Sequence, residues 1–258
     1  YDENEIVFGI RQQVAADGTT EVTAGYEFLG LANQRSWAAS VFRDGDGDGT
    51  CYFELFDHRL GKPRVESGVA TFAGGRLPAP GLQILANQVE PSRRVGAGWN
   101  AGDLLTFEAS GFAMPTVRPV TMRAPETTLE IQSVAPSPAP GETDVALKPT
   151  DSVGVTWKPS TEGVRTRVMV ALETEEEDGS PGGEVRCFSS GRSGSVVIPS
   201  QWVARLMSSV DPATPVKGRL EIATHRQATL RERGGWTVYV VATTLDRVGR
   251  EPGADLVA

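Results

Sequence analysis

The chain has 258 residues, 39% of them hydrophobic and 22% charged, with a formal net charge of −8. A chain of this length can bury one large core or two ordinary ones, and its composition excludes wholesale disorder. The acidic balance is even, with 11 basic and 15 acidic side chains up to residue 125 and 14 and 18 beyond it, so it lacks the clustered Lys/Arg that nucleic acid or an anionic membrane surface requires.

No apolar run is long enough for a transmembrane helix. The opening stretch, YDENEIVFGI, is polar and then strand-like and carries no signal peptide. An upstream segment is expected, removed either by processing or by the choice of boundaries for this stretch, and any signal or lipid anchor would belong to it. With 29 Gly and 17 Pro the chain is rich in turns, which favours an all-β fold of short strands.

In chain order, strand signals fall at EIVFGIRQQ (5–13), TTEVTAGYEFL (19–29), SWAASVF (36–42), TCYFELF (50–56), SGVATFA (67–73), GLQILANQVE (81–90) and DLLTFEASGF (103–112). Each is rich in β-branched or aromatic residues and bounded by turn formers. In TCYFELF, strand alternation puts Cys51, Phe53 and Leu55 on one face, read as the core face, and Tyr52, Glu54 and Phe56 on the other. The Pro-rich segment VAPSPAPG (134–141) is a poor central strand. A domain boundary is expected close by, giving domains 1–125 and 126–258, with TTLEIQSV entering the second.

The second half continues with SVGVTWKPS, TRVMVALE, GEVRCFSS, GSVVIPS, GRLEIATHRQATLR and GWTVYVVATTL. One helix is expected in PSQWVARLMSSV (199–210), with Ser200 as N-cap and Trp202, Val203, Leu206 and Met207 as its apolar face. The stretch SVAPSPAPGETDVALKPTDSVGVTWKPS resembles the opening of bacterial Ig-like or fibronectin type III-like domains. That resemblance, over 126–258, implies a β-sandwich with Trp157 as its core Trp, and it implies no activity.

The halves also show a loose internal parallel. WAASVF, RDGDGDG, TCYFELF and ESGVATF in the first match RVMVALE, TEEEDGSPGG, EVRCFSS and RSGSVVI in the second. The expected architecture is two tandem β-sandwiches with one short helix in the second.

Residues 43–49, RDGDGDG, are the strongest chemical signal. Asp44, Asp46 and Asp48 alternate as calcium ligands do, Gly49 suits the sharp turn, and Thr50 can offer its carbonyl. The twelfth position, however, is Leu55 where an EF-hand has its bidentate Glu, and no flanking helices are expected. The loop therefore reads either as a calcium site or as an acidic hairpin turn, whose mutual repulsion is well screened in water.

Cys51 and Cys187, the two cysteines, read as buried free thiols, one in each core. A bridge, the alternative, needs their Cα atoms within about 7 Å, which two separate cores make hard. His58 and His225 read as surface or strand-edge residues. Trp99, in the Gly-rich loop GAGWNAG (96–102) beside Arg93 and Arg94, can either plug the end of a sandwich or stack on a sugar or partner. The run ETEEEDG at 173–179 is a solvated acidic loop.

No catalytic set emerges. The expected function is a non-enzymatic extracytoplasmic module of the cell envelope or a surface assembly that engages another protein, with membrane attachment only through an anchor outside this chain. The alternative is a carbohydrate-binding module supported by Ca2+.

Overall fold

The structure, a computed structural model, describes residues 4–14, 18–30, 50–55, 68–85, 92–96, 98–112, 114–126, 129–137, 145–160, 166–175, 181–208, 217–246 and 256–257. The strands are β1 (Asn4–Val14), β2 (Thr20–Gly30), β3 (Thr50–Leu55), β4 (Ala70–Gly74), β5 (Leu82–Ile84), β6 (Ser92–Val95), β7 (Leu104–Ala109) and β8 (Val117–Arg123). The series continues with β9 (Ile131–Ala135), β10 (Val145–Ala146), β11 (Val153–Trp157), β12 (Arg167–Glu175), β13 (Pro181–Ser190), β14 (Ser195–Ile198), β15 (Lys217–Glu232), β16 (Trp236–Asp246) and β17 (Leu256–Val257), with helix α1 (Ser200–Met207) between β14 and β15. The protein is all-β, built of sandwiches. The expected strand SWAASVF, His58 and Trp37 lie outside the described residues.

The chain forms two compact units, and they are not consecutive. Unit 1 takes residues 1–45, 61–127 and 224–245, and unit 2 takes 46–60, 128–223 and 246–258. The expected linear division at 125/126 is thus corrected. The chain does change unit near there, after Thr127, but each unit also holds strands from the other half. The reason is pairing. β1 runs parallel to β16, in register from Asn4↔Trp236 to Gln13↔Leu245, so the first strand of unit 1 is completed by one of the last.

In unit 1 the strand order is β15 (from Thr224), β16, β1, β2, β6, and a second sheet runs β5, β4, β7, β8. Strand alternation sends Ile6, Phe8 and Ile10 of β1 and Leu105, Phe107 and Ala109 of β7 into one core. Phe107 stands 4.8 Å from Phe8 and 4.9 Å from Phe72, ring centre to ring centre. These tilted contacts suit the aromatic quadrupole. The chain leaves β4 through Gly74 and Gly75, both at positive φ; a Cβ on Gly75 would come within 2.9 Å of the Trp99 Cβ. Only glycine allows this approach.

In unit 2 the order is β3, β13, β12, β15 (up to Ala223), and a second sheet runs β14, β11, β9. β11 buries Val153, Val155 and Trp157 in strict alternation. Trp157 is fully buried and its indole N–H donates to the Gly191 carbonyl at 2.9 Å, so the expected core Trp is in place. β9 is an edge strand that ends at Ala135, where the Pro-rich segment begins.

The helix forms one residue earlier than expected. Pro199 occupies the N-cap position in an extended conformation, no side chain caps the helix, and Ser200 is its first residue. Val203 and Leu206 are fully buried, while Trp202 and Met207 pack half-buried against the same core.

Candidate functional site

Trp99 precedes β7 in unit 1, and it is not a platform. Its ring is 2% exposed, and three hydrogen bonds fix it. Its backbone N–H donates to Gln12 Oε1 at 2.6 Å, the Gln12 amide N–H donates to its carbonyl at 3.2 Å, and its indole N–H donates to Thr244 Oγ1 at 3.1 Å. The Gln12 side chain, itself buried, pairs with the Trp99 backbone as a neighbouring strand would. The reading of Trp99 as a ligand-contact residue is corrected: burying the large ring and satisfying its N–H outweigh anything its Gly-rich flanks suggest.

Arg93 and Arg94 lie on β6 and point to solvent. Arg93 reaches Glu21 on β2 at 2.6 Å, with both side chains substantially exposed, a geometry worth little stability. The two arginines and Trp99 form no common site.

Thr50 opens β3, half-buried, with Phe188 as its register partner. Asp44, Asp46 and Asp48 lie outside the described residues. Among the described residues no group of His, Cys, Asp and Glu is placed to hold a metal ion.

β3 carries the main surprise. It pairs antiparallel with β13, in register from Thr50↔Phe188 to Leu55↔Gly183. Cys51 and Cys187 are directly opposite, 4.1 Å apart at Cα, and joined as a disulfide. The expectation of two free thiols in separate cores is corrected. Both face one core, because β3 lies in unit 2 although the nearest described residues on either side, up to Gly30 and from Gly68, belong to unit 1. The bridge spans 136 residues of sequence. In chain-entropy terms a loop of that size disfavours the open chain by about 5 kcal/mol.

The inward face of β3 agrees with the sequence. Cys51 and Phe53 pack half-buried against the core of unit 2. The Arg205 guanidinium of α1 sits 4.3 Å from the centre of the Phe53 ring and 5.6 Å from that of Trp202, which ties the helix to the strand by cation–π attraction. On the other face Tyr52 meets Phe188 edge-on at 6.1 Å.

The same sheet holds a set of charges, and it corrects the reading of 173–179 as a solvated loop at its start: Glu173 and Thr174 are buried on β12. Glu173 on β12 and Glu184 on β13 are register partners, and both are buried. Arg219 of β15 grips both carboxylate oxygens of Glu173, at 2.9 and 3.1 Å, and Arg186 pairs with Glu184. Burial raises the pKa of Glu184 above its ordinary value; Arg186 opposes that through charge and hydrogen bond, while Glu173 and Glu221 reinforce it. The two register-paired carboxylates are thus each engaged by a guanidinium. Their signal in the sequence was alternation, since Glu184 and Arg186 share a face opposite Val185 and Cys187.

His225, expected at the surface, is 4% exposed on β15. SSGRSGS (189–195) turns the chain from β13 into β14, with the Ser193 N–H donating to the Ser190 carbonyl at 3.0 Å.

No family model and no curated protein sequence matches the chain. Among solved structures it is similar to the FN1–FN3 domains of chicken CNTN1, with 9% identity over 95% of this chain and 69% of that one, at a TM-score of 0.22. A likeness that faint carries no argument here. The assignment to sandwiches rests on the paired sheets described above.

Proposed function

We infer that this is a non-enzymatic structural or interaction protein that works outside the cytoplasm and engages another protein. The observation that supports it best is the Cys51–Cys187 disulfide, since such bonds form and persist in oxidising compartments. The fate of the reactive side chains adds to it. Trp99 and Trp157 are core, the two cysteines are bridged, and Glu173 and Glu184 are held by arginines. Sandwich domains offer loops and strand edges to partners. The test is treatment of intact cells of the source organism with a membrane-impermeant, lysine-reactive cross-linker; Lys158, with a side chain 63% exposed, is available to it. The reading expects modification before lysis and one discrete cross-linked protein. Modification only after lysis contradicts it.

A second reading, Ca2+ held by Asp44, Asp46, Asp48 and the Thr50 carbonyl, rests on the D-x-D-x-D-G spacing alone. A Tm that rises with calcium and falls with chelator supports it, because an ion bound to the native form stabilises in proportion to its occupancy; a Tm indifferent to both removes it. The carbohydrate-binding alternative loses its stacking residue with the burial of Trp99.

A further inference from the structure

We propose that the Cys51–Cys187 disulfide is a reducible latch on β3, so that reduction releases this one strand while the rest of unit 2 stays folded. Three observations carry it. First, among the described strands β3 lies at the edge of its sheet, with β13 as its neighbour. Second, among the described side chains the fully buried core of unit 2 is assembled without it: its members, from Leu129 to Ile222, come from the second half of the chain, and the described side chains of β3 that reach it, Cys51 and Phe53, are half-buried. Third, β3 lies in unit 2, whereas the nearest described residues before and after it, up to Gly30 and from Gly68, lie in unit 1. What holds the strand includes six register pairs with β13, the Tyr52–Phe188 and Phe53–Arg205 contacts, the approach of Cys51 Sγ to the Val197 carbonyl at 3.9 Å, and one covalent bond. Removing the bond takes away the one fastening that fraying cannot undo.

The chemistry is thiol–disulfide exchange with a dithiol. A thiolate of the dithiol attacks Sγ of Cys51, the less buried of the two residues, since Cys187 is fully buried. The S–S bond breaks and Cys187 leaves, taking up a proton. The second thiol of the dithiol then attacks the mixed disulfide and releases Cys51 as a thiol. Two electrons and two protons pass to the protein, and the dithiol closes to its cyclic disulfide. The released strand bares the backbone donors and acceptors of the β13 edge.

The experiment is hydrogen exchange followed by mass spectrometry on the full chain, oxidised and after complete reduction with dithiothreitol. The expected result is exchange at least tenfold faster in 50–55 and 183–188 after reduction, with β11 and α1 unchanged. The double variant C51A/C187A shows the same pattern without reductant. Loss of protection throughout β11, β14 and α1 in either sample overturns the proposal, because the bond is then a staple for the whole unit. Undiminished protection of 50–55 in the reduced chain overturns it as well.

Discussion

Gln12 and Trp99 depend on each other, and neither dependence is visible locally. They are 87 residues apart, and Thr244 lies 145 beyond Trp99. A Gly-rich loop with one Trp therefore left burial and exposure equally open in the sequence. Trp99→Ala should cost about 3–5 kcal/mol and lower Tm by roughly 10 °C, read by calorimetry; an unchanged Tm would show that the ring is not core. Gln12→Ala leaves the N–H and C=O of Trp99 unpaired, at about 1–3 kcal/mol each, and is expected to destabilise comparably. Glu184 gives a pH signature. Its folded pKa is raised from 4.5, so the native state binds the proton more tightly than the unfolded chain. Its stabilising contribution is full below about 4.5 and is lost as pH rises through the folded value. Glu184→Gln, which keeps an acceptor for Arg186, should therefore gain Tm over the parent as pH rises from 4 to 7. A difference independent of pH would mean the carboxyl is not perturbed.

Strands announced themselves in the sequence when one face was buried. β1, β3, β4, β7 and β11 alternate apolar and polar residues, and their inward faces were legible without coordinates. β6 and β8 were not. Ser92–Val95 is SRRV and Val117–Arg123 is VRPVTMR, edge strands with much of their surface in solvent, so no alternation marks them. Charged residues and a proline suit such edges because they discourage a foreign strand from adding on. Pairing was hidden for another reason: alternation gives the face of β3 but not its neighbour, and the neighbour decides whether two cysteines meet. Phe53→Ala removes a half-buried ring and its stack with Arg205 and should cost about 1–2 kcal/mol in urea unfolding of the oxidised protein. No loss would mean that β3 does not rest on the core.

At the scale of the molecule, the sequence supported an all-β chain with two cores and a change of unit near residue 126, and it missed the interlacing. A weak parallel between halves suggested tandem copies, whereas the units exchange 46–60 and 224–245. A fragment of residues 1–125 lacks β16, the parallel neighbour of β1, and is expected to show no cooperative thermal transition by circular dichroism. A sharp transition in that fragment would restore the linear division. The most direct test of the whole account is to alkylate the protein in intact cells of the source organism and digest it without reductant. Mass spectrometry should then find one linked peptide pair joining Cys51 to Cys187 and no alkylated cysteine. Two alkylated cysteines and no linked pair would contradict both the pairing of β3 with β13 and the oxidising compartment inferred from it.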